Sequence, residues 1–145
     1  MKYLGLIAAL VLGGCGSDGI TSGQPTVAAL QGTWSMIRFE LVNAADPTER
    51  VSPLPGGTTG TLTVTSAGAF TFTYGIPGTG PSTETGTLSL HGDTLIYDGE
   101  GDEVAFRLVL TGNTMTWHAL EAELFDINGD GVPEETFTEV TFVRA

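Results

Sequence analysis

Strict alternation of apolar and polar residues is the feature that most limits what this chain can become. In Thr61-Leu62-Thr63-Val64-Thr65, Phe70-Thr71-Phe72-Thr73-Tyr74, Thr87-Leu88-Ser89-Leu90 and Val104-Ala105-Phe106-Arg107-Leu108, apolar side chains recur at every second position. Successive side chains of a strand point to opposite faces, so each run has one apolar face and one that is largely threonine. A helix would need its apolar residues three and four apart, and no long segment supplies that spacing. Glycine-containing turns punctuate the runs about every 8–12 residues, the rhythm of an all-β sandwich or barrel. Three segments starting at Leu62, Leu88 and Leu108 each read as strand, tight turn, strand, so the repeated unit is a hairpin.

The pattern predicts eight strands, at 33–43, 58–65, 69–75, 83–91, 94–98, 103–110, 114–125 and 135–144. In an up-and-down meander, turns fall at alternate ends of the sheet. The three connections after the second, fourth and sixth strands are all short and share one end. Those at 44–57, 76–82, 99–102 and 126–134 gather at the other. A sandwich with crossing connections has no reason to sort its loops by parity, whereas a barrel with a closed floor and an open mouth does. The expected fold is therefore an all-β, antiparallel, eight-stranded up-and-down β-barrel. Closure removes the edges that invite pairing with other chains, so a monomer is expected, with an interior fit for side chains or one small ligand.

The first residues are of a different kind. Lys2 precedes an apolar run from Leu4 to Leu12, and Leu12-Gly13-Gly14-Cys15 follows. The run is too short to span a bilayer as a helix, which needs about 20 residues, and has the layout of an export signal. The segment resembles the lipobox of bacterial lipoproteins, which implies cleavage before Cys15 and acylation of its sulfur and new amino group. Several acyl chains anchor stably, since each buried CH₂ contributes about 0.8 kcal/mol. Gly16 stands where inner-membrane lipoproteins carry aspartate, so the resemblance implies the cell envelope and its outer membrane. The expected organisation is a signal at 1–14, the lipidated cysteine with a Gly-rich tether at 15–26, and one β-barrel domain at 27–145. Cys15 is the only cysteine, which leaves no disulfide within one molecule.

The formal charge is −12, and one unit more negative once Lys2 is lost, because the only other basic side chains are Arg38, Arg50, Arg107 and Arg144. Such a field repels phosphate backbones and anionic headgroups, so nucleic acid is excluded as a partner and the membrane is reached only through the lipid anchor. Cations and neutral ligands are favoured.

Val27-Ala28-Ala29-Leu30-Gln31-Gly32-Thr33-Trp34 resembles the entrance to the lipocalin family, where a short helical turn leads into Gly-x-Trp on the first strand. Gly32 and Trp34 fill those positions, and Arg144 near the end of the last strand matches the arginine that packs across the tryptophan at the closed end. The resemblance implies a lipocalin-like barrel that binds a small, apolar ligand. One irregularity stands in the first strand. Trp34 and Met36 share a face with Arg38 and Glu40, while Ile37, Phe39 and Leu41 face oppositely. Either a β-bulge switches the face midway, or Arg38 and Glu40 point inward as a buried ion pair.

The most specific local motif is Asp126-Ile127-Asn128-Gly129-Asp130-Gly131-Val132-Pro133-Glu134. Oxygen side chains at alternate positions followed by glycine match the first half of a calcium loop, with the Val132 carbonyl as a further ligand. The bidentate glutamate of a full loop is replaced by Phe137, so Glu134 or Glu135 must substitute. The same dipeptides, Asn128-Gly129 and Asp130-Gly131, also make good hairpin turns without metal. A second acidic cluster, Asp98, Glu100, Asp102 and Glu103, belongs to the same end and predicts a negative mouth. No motif sets a nucleophile beside a base, and with His91 at a turn and His118 on an outward face no enzyme is expected.

Two functions follow. In one, Leu62, Val64, Phe70, Phe72, Leu88, Leu90, Phe106, Leu108, Trp117 and Phe142 line a cavity for a small apolar ligand. In the other they pack solidly, and the protein is a structural or interaction lipoprotein with a calcium-stabilised rim.

Overall fold

The computed structural model describes residues 23–101 and 103–145, and Cys15 with the expected signal and most of the tether lies outside them. A 3₁₀ turn at Val27–Leu30 leads into ten strands. They are β1 (Gly32–Asn43), β2 (Arg50–Val51), β3 (Thr59–Val64), β4 (Ala69–Gly75), β5 (Ser82–His91), β6 (Thr94–Asp98), β7 (Glu103–Thr111), β8 (Thr114–Ala119), β9 (Glu123–Phe125) and β10 (Glu134–Arg144). Each long strand pairs antiparallel with its neighbour from β3 to β8, β8 pairs with β10, and β10 and β3 both pair with β1. Eight strands thus close into a barrel, with β2 and β9 as short additions at its rim.

Two elements differ from the alternation reading. The strand expected at 114–125 breaks at Leu120 and resumes as β9, which pairs with β10 alone. β2 lies inside the expected loop at 44–57; two residues between prolines are too few to show alternation, and Arg50 and Val51 are ordered by pairing with Val42 and Leu41.

The irregular first strand is resolved by a bulge. Met36 pairs with Phe142 and Arg38 with Thr141, so Ile37 is the extra residue, 58% exposed. Trp34 and Met36 face inward before it, and Phe39 and Leu41 after it. The inward alternative for Arg38 and Glu40 is therefore wrong. On the outer surface Arg50 Nη1 reaches Glu40 Oε2 at 3.1 Å and Glu139 Oε1 at 3.0 Å, relieving the repulsion of two glutamates placed opposite one another across β1 and β10.

The floor of the barrel is solid. Leu30, Trp34, Leu62, Val64, Phe70, Leu88, Leu95, Leu108 and Met115 are all buried there. Trp34 Nε1 donates to the Leu30 carbonyl at 2.8 Å, so the indole is buried with its polar atom satisfied. The β3–β4 turn presses on β5, where Leu88 N donates to Gly68 O at 2.7 Å. Gly68 has φ +90°, and a Cβ there would overlap the Leu88 carbonyl oxygen, so close approach and backbone conformation both demand glycine.

Candidate functional site: an aromatic cavity at the open mouth

Above the floor the interior is not filled. A cavity of about 670 Å³ opens at the long-loop end. Its walls come from seven strands: Met36 and Phe39 on β1, Phe72 on β4, Glu84 on β5, Tyr97 on β6, Phe106 on β7, Trp117 on β8, and Val140 and Phe142 on β10. Each points inward by the period of its strand, with the bulge at Ile37 bringing both Met36 and Phe39 to the inner face. The rings form one continuous surface, with centroid separations of 4.9 Å for Trp117–Phe142, 5.5 Å for Phe106–Trp117 and 6.1 Å for Tyr97–Trp117. Phe72 meets Phe142 edge-on at 6.2 Å.

Polar groups in the cavity are few and of one sign. Glu84, Glu103, Glu121 and Glu123 line it, and no arginine does among the described residues. Glu84 is half-buried on the inner face of β5, and the other three are exposed at the rim. Burial and the neighbouring Glu84 carboxylate push the Tyr97 phenol well above its ordinary value, so it keeps its proton. Trp117 is 4% exposed, and its Nε1 has no acceptor among the described residues, in contrast to Trp34. A buried indole N–H without an acceptor costs about 1–3 kcal/mol.

Of the expected lining residues, Phe72, Phe106, Trp117 and Phe142 reach the cavity, while Leu62, Val64, Phe70, Leu88 and Leu108 are in the solid core below and Leu90 is partly buried against it. The two alternatives, cavity or packed core, thus each describe one half of the barrel. Glu84 and Tyr97 escaped the sequence reading although their signal was present. Counting back by twos from Leu88 gives Gly86 and Glu84, and counting on from Leu95 gives Tyr97. A second, smaller space of about 450 Å³ runs along the edge of β1 between Met36–Glu40 and 52–58, where neither β2 nor β3 covers the strand.

The closing residues sit at the opposite end. Trp34 pairs with Arg144, whose guanidinium carbon lies 4.2 Å from the indole centroid, and Gly32 faces the same guanidinium. In the loop at 126–134, Asp126, Asp130 and Glu134 each bring a carboxylate oxygen within 4.8 Å of the others. Asp126 Oδ1 accepts from Gly129 N at 2.7 Å and Asp130 N at 3.1 Å, its Oδ2 from Gly131 N at 2.8 Å, and Asp130 Oδ1 from Val132 N at 2.8 Å. Asn128 turns its amide group to Glu134 Oε1, 3.1 Å away, and its oxygen accepts from Asp130 N at 2.9 Å. The acidic cluster at 98–103 contributes only Glu103 to the cavity lining, and Asp102 lies outside the described residues. His118 faces outward, its Nδ1 3.0 Å from Glu139 Oε2.

No curated protein matches the chain. The family model of the lipocalin-like domain matches residues 30–117, from the floor of the barrel to the cavity wall. With an eight-stranded closed barrel, a floor sealed by tryptophan and arginine, and a match over more than half its length, this chain belongs to the lipocalin-like domain family.

Proposed function

We propose that this protein is a binding module that takes a small molecule with an apolar body into the mouth of its barrel, held at the cell envelope by a lipid on Cys15. One observation carries the reading: the barrel is solid at one end and open at the other, around an aromatic cavity of about 670 Å³. Ligand pockets of about 300–1,000 Å³ with apolar walls and a few convergent polar groups are of this kind. The cavity walls here are predominantly apolar and aromatic, which supports binding of an apolar body. Native mass spectrometry of the protein isolated from its own cell tests the idea. A retained small molecule supports it, and an Ala119→Trp variant, which adds a large ring to the cavity wall, should lose that molecule. Acylation is tested separately, by metabolic labelling with a fatty-acid analogue, which should mark the chain and fail to mark Cys15→Ala.

A second reading is an envelope interaction lipoprotein whose hairpin at 126–134 is stabilised by calcium. The convergence of Asp126, Asp130 and Glu134 favours it, with the Val132 carbonyl and Asn128 as the remaining oxygen donors. The two readings are compatible, since the loop lies at the rim of the same mouth.

A further inference from the structure

We infer that the molecule taken by the mouth cavity is an organic cation with an apolar body, its positive group held at Glu84 and the aromatic walls. The inference rests on the binding reading above and adds the chemistry of the ligand.

Among the described residues, the four charged groups of the lining are all carboxylates. Three are exposed and screened by solvent. Glu84 is different, because β5 turns it inward opposite Phe72, beside the Tyr97 ring. A half-buried charge is less screened by water than an exposed one, so Glu84 weighs more than any one of the carboxylates at the rim. A ligand with its own carboxylate would place like charges together and is disfavoured. The ring faces of Trp117, Tyr97, Phe106 and Phe72 act in the same direction. Their π-faces are negative, and a cation over such a face gains more when water is excluded. Carboxylate and rings therefore select the same ligand charge by two mechanisms.

Trp117 combines a ring on the cavity wall with a buried N–H that has no acceptor among the described residues. The net charge of −12 adds long-range attraction for cations approaching the mouth.

The test is calorimetry on the full chain with three compounds of one body: naphthylmethylammonium, naphthalenemethanol and naphthoate. The cation should bind at least about tenfold more tightly than the anion, with the alcohol between them. Glu84→Gln should reduce the ratio of cation to alcohol affinity several-fold, leaving the smaller preference due to the rings and rim. Raising salt from about 0.05 to about 0.5 M should narrow the wild-type preference, a readout that needs no variant. Equal binding of all three compounds, or preference for naphthoate, overturns the assignment of charge while leaving the cavity a binding site. Absence of binding by all three overturns the binding reading as well. A cation preference unchanged in a folded Glu84→Gln variant removes Glu84 from the selection.

Discussion

The guanidinium of Arg144 lies over the Trp34 ring, 4.2 Å from carbon to ring centroid, and ties the last strand to the first. The same group donates from Nη1 to Gln31 O at 2.7 Å and from Nη2 to Ala29 O at 3.1 Å, so it also holds the 3₁₀ turn beneath the floor. One residue thereby joins the last strand to the first and to the turn that precedes it. Because the guanidinium is partly solvated, removing it should cost less than a buried ion pair would. Arg144→Ala should destabilise the fold by about 1–3 kcal/mol, from the stacking and two charge-assisted hydrogen bonds. Urea unfolding measures this, and an unchanged midpoint would show that the seal contributes nothing. Gly32→Ala should act at the same place, since its φ of +129° is strained for other residues and its Cβ would meet Arg144 Nη1 at 2.8 Å.

The two tryptophans should respond unequally to the same change. Trp34 donates to Leu30, so Trp34→Phe leaves a buried carbonyl unsatisfied as well as a smaller ring. Trp117 has no such partner, so Trp117→Phe removes an unsatisfied donor. The loss of ring volume is common to both, and the difference between them should be about 1–3 kcal/mol, with Trp34→Phe the worse. Chemical denaturation of both variants checks the order.

Calcium should raise the melting temperature if the loop at 126–134 closes around it. At a concentration of about a hundred times the dissociation constant, the gain is about 2.7 kcal/mol. Thermal melts in millimolar calcium and in chelator compare the two states, and coincident curves would dismiss calcium. Asp126→Ala should lower stability even in chelator, by about 1–2 kcal/mol, because its oxygens accept from three backbone N–H groups.

The Tyr97 phenol predicts an alkaline weakness. Its folded-state value is raised by burial first and by Glu84 second, so the fold holds the proton more tightly than the unfolded chain does. Below about pH 10 both states are protonated and this difference has no effect on pH dependence. As pH rises above about 10 the unfolded chain ionises first, and stability falls until the folded phenol ionises too. Tyr97→Phe should flatten this part of the profile. Equal slopes for the variant and the parent, measured by urea unfolding between about pH 9 and pH 11.5, would contradict the assignment.

Alternation in runs such as 61–65 and 70–74 already decides that the chain is β, because a period of two has no helical equivalent. The sorting of short and long connections by parity decides that it is a barrel with one open end. What alternation cannot decide is how far inward-facing residues fill the space they enclose, since Leu62 and Phe72 obey the same rule yet one lies in the packed floor and the other lines a cavity. Nor can it tell which way a strand turns after an irregularity. Ile37 is pushed outward only because Met36 must face Phe142 while Phe39 and Leu41 must also reach the interior. The pairing of Glu84 with Tyr97 and the unsatisfied Trp117 Nε1 likewise arise from closure of the barrel, which brings β5, β6 and β8 around one space. Local pattern dictates which face of each strand is apolar; the depth and charge of the cavity depend on register, twist and the meeting of strands far apart in the chain.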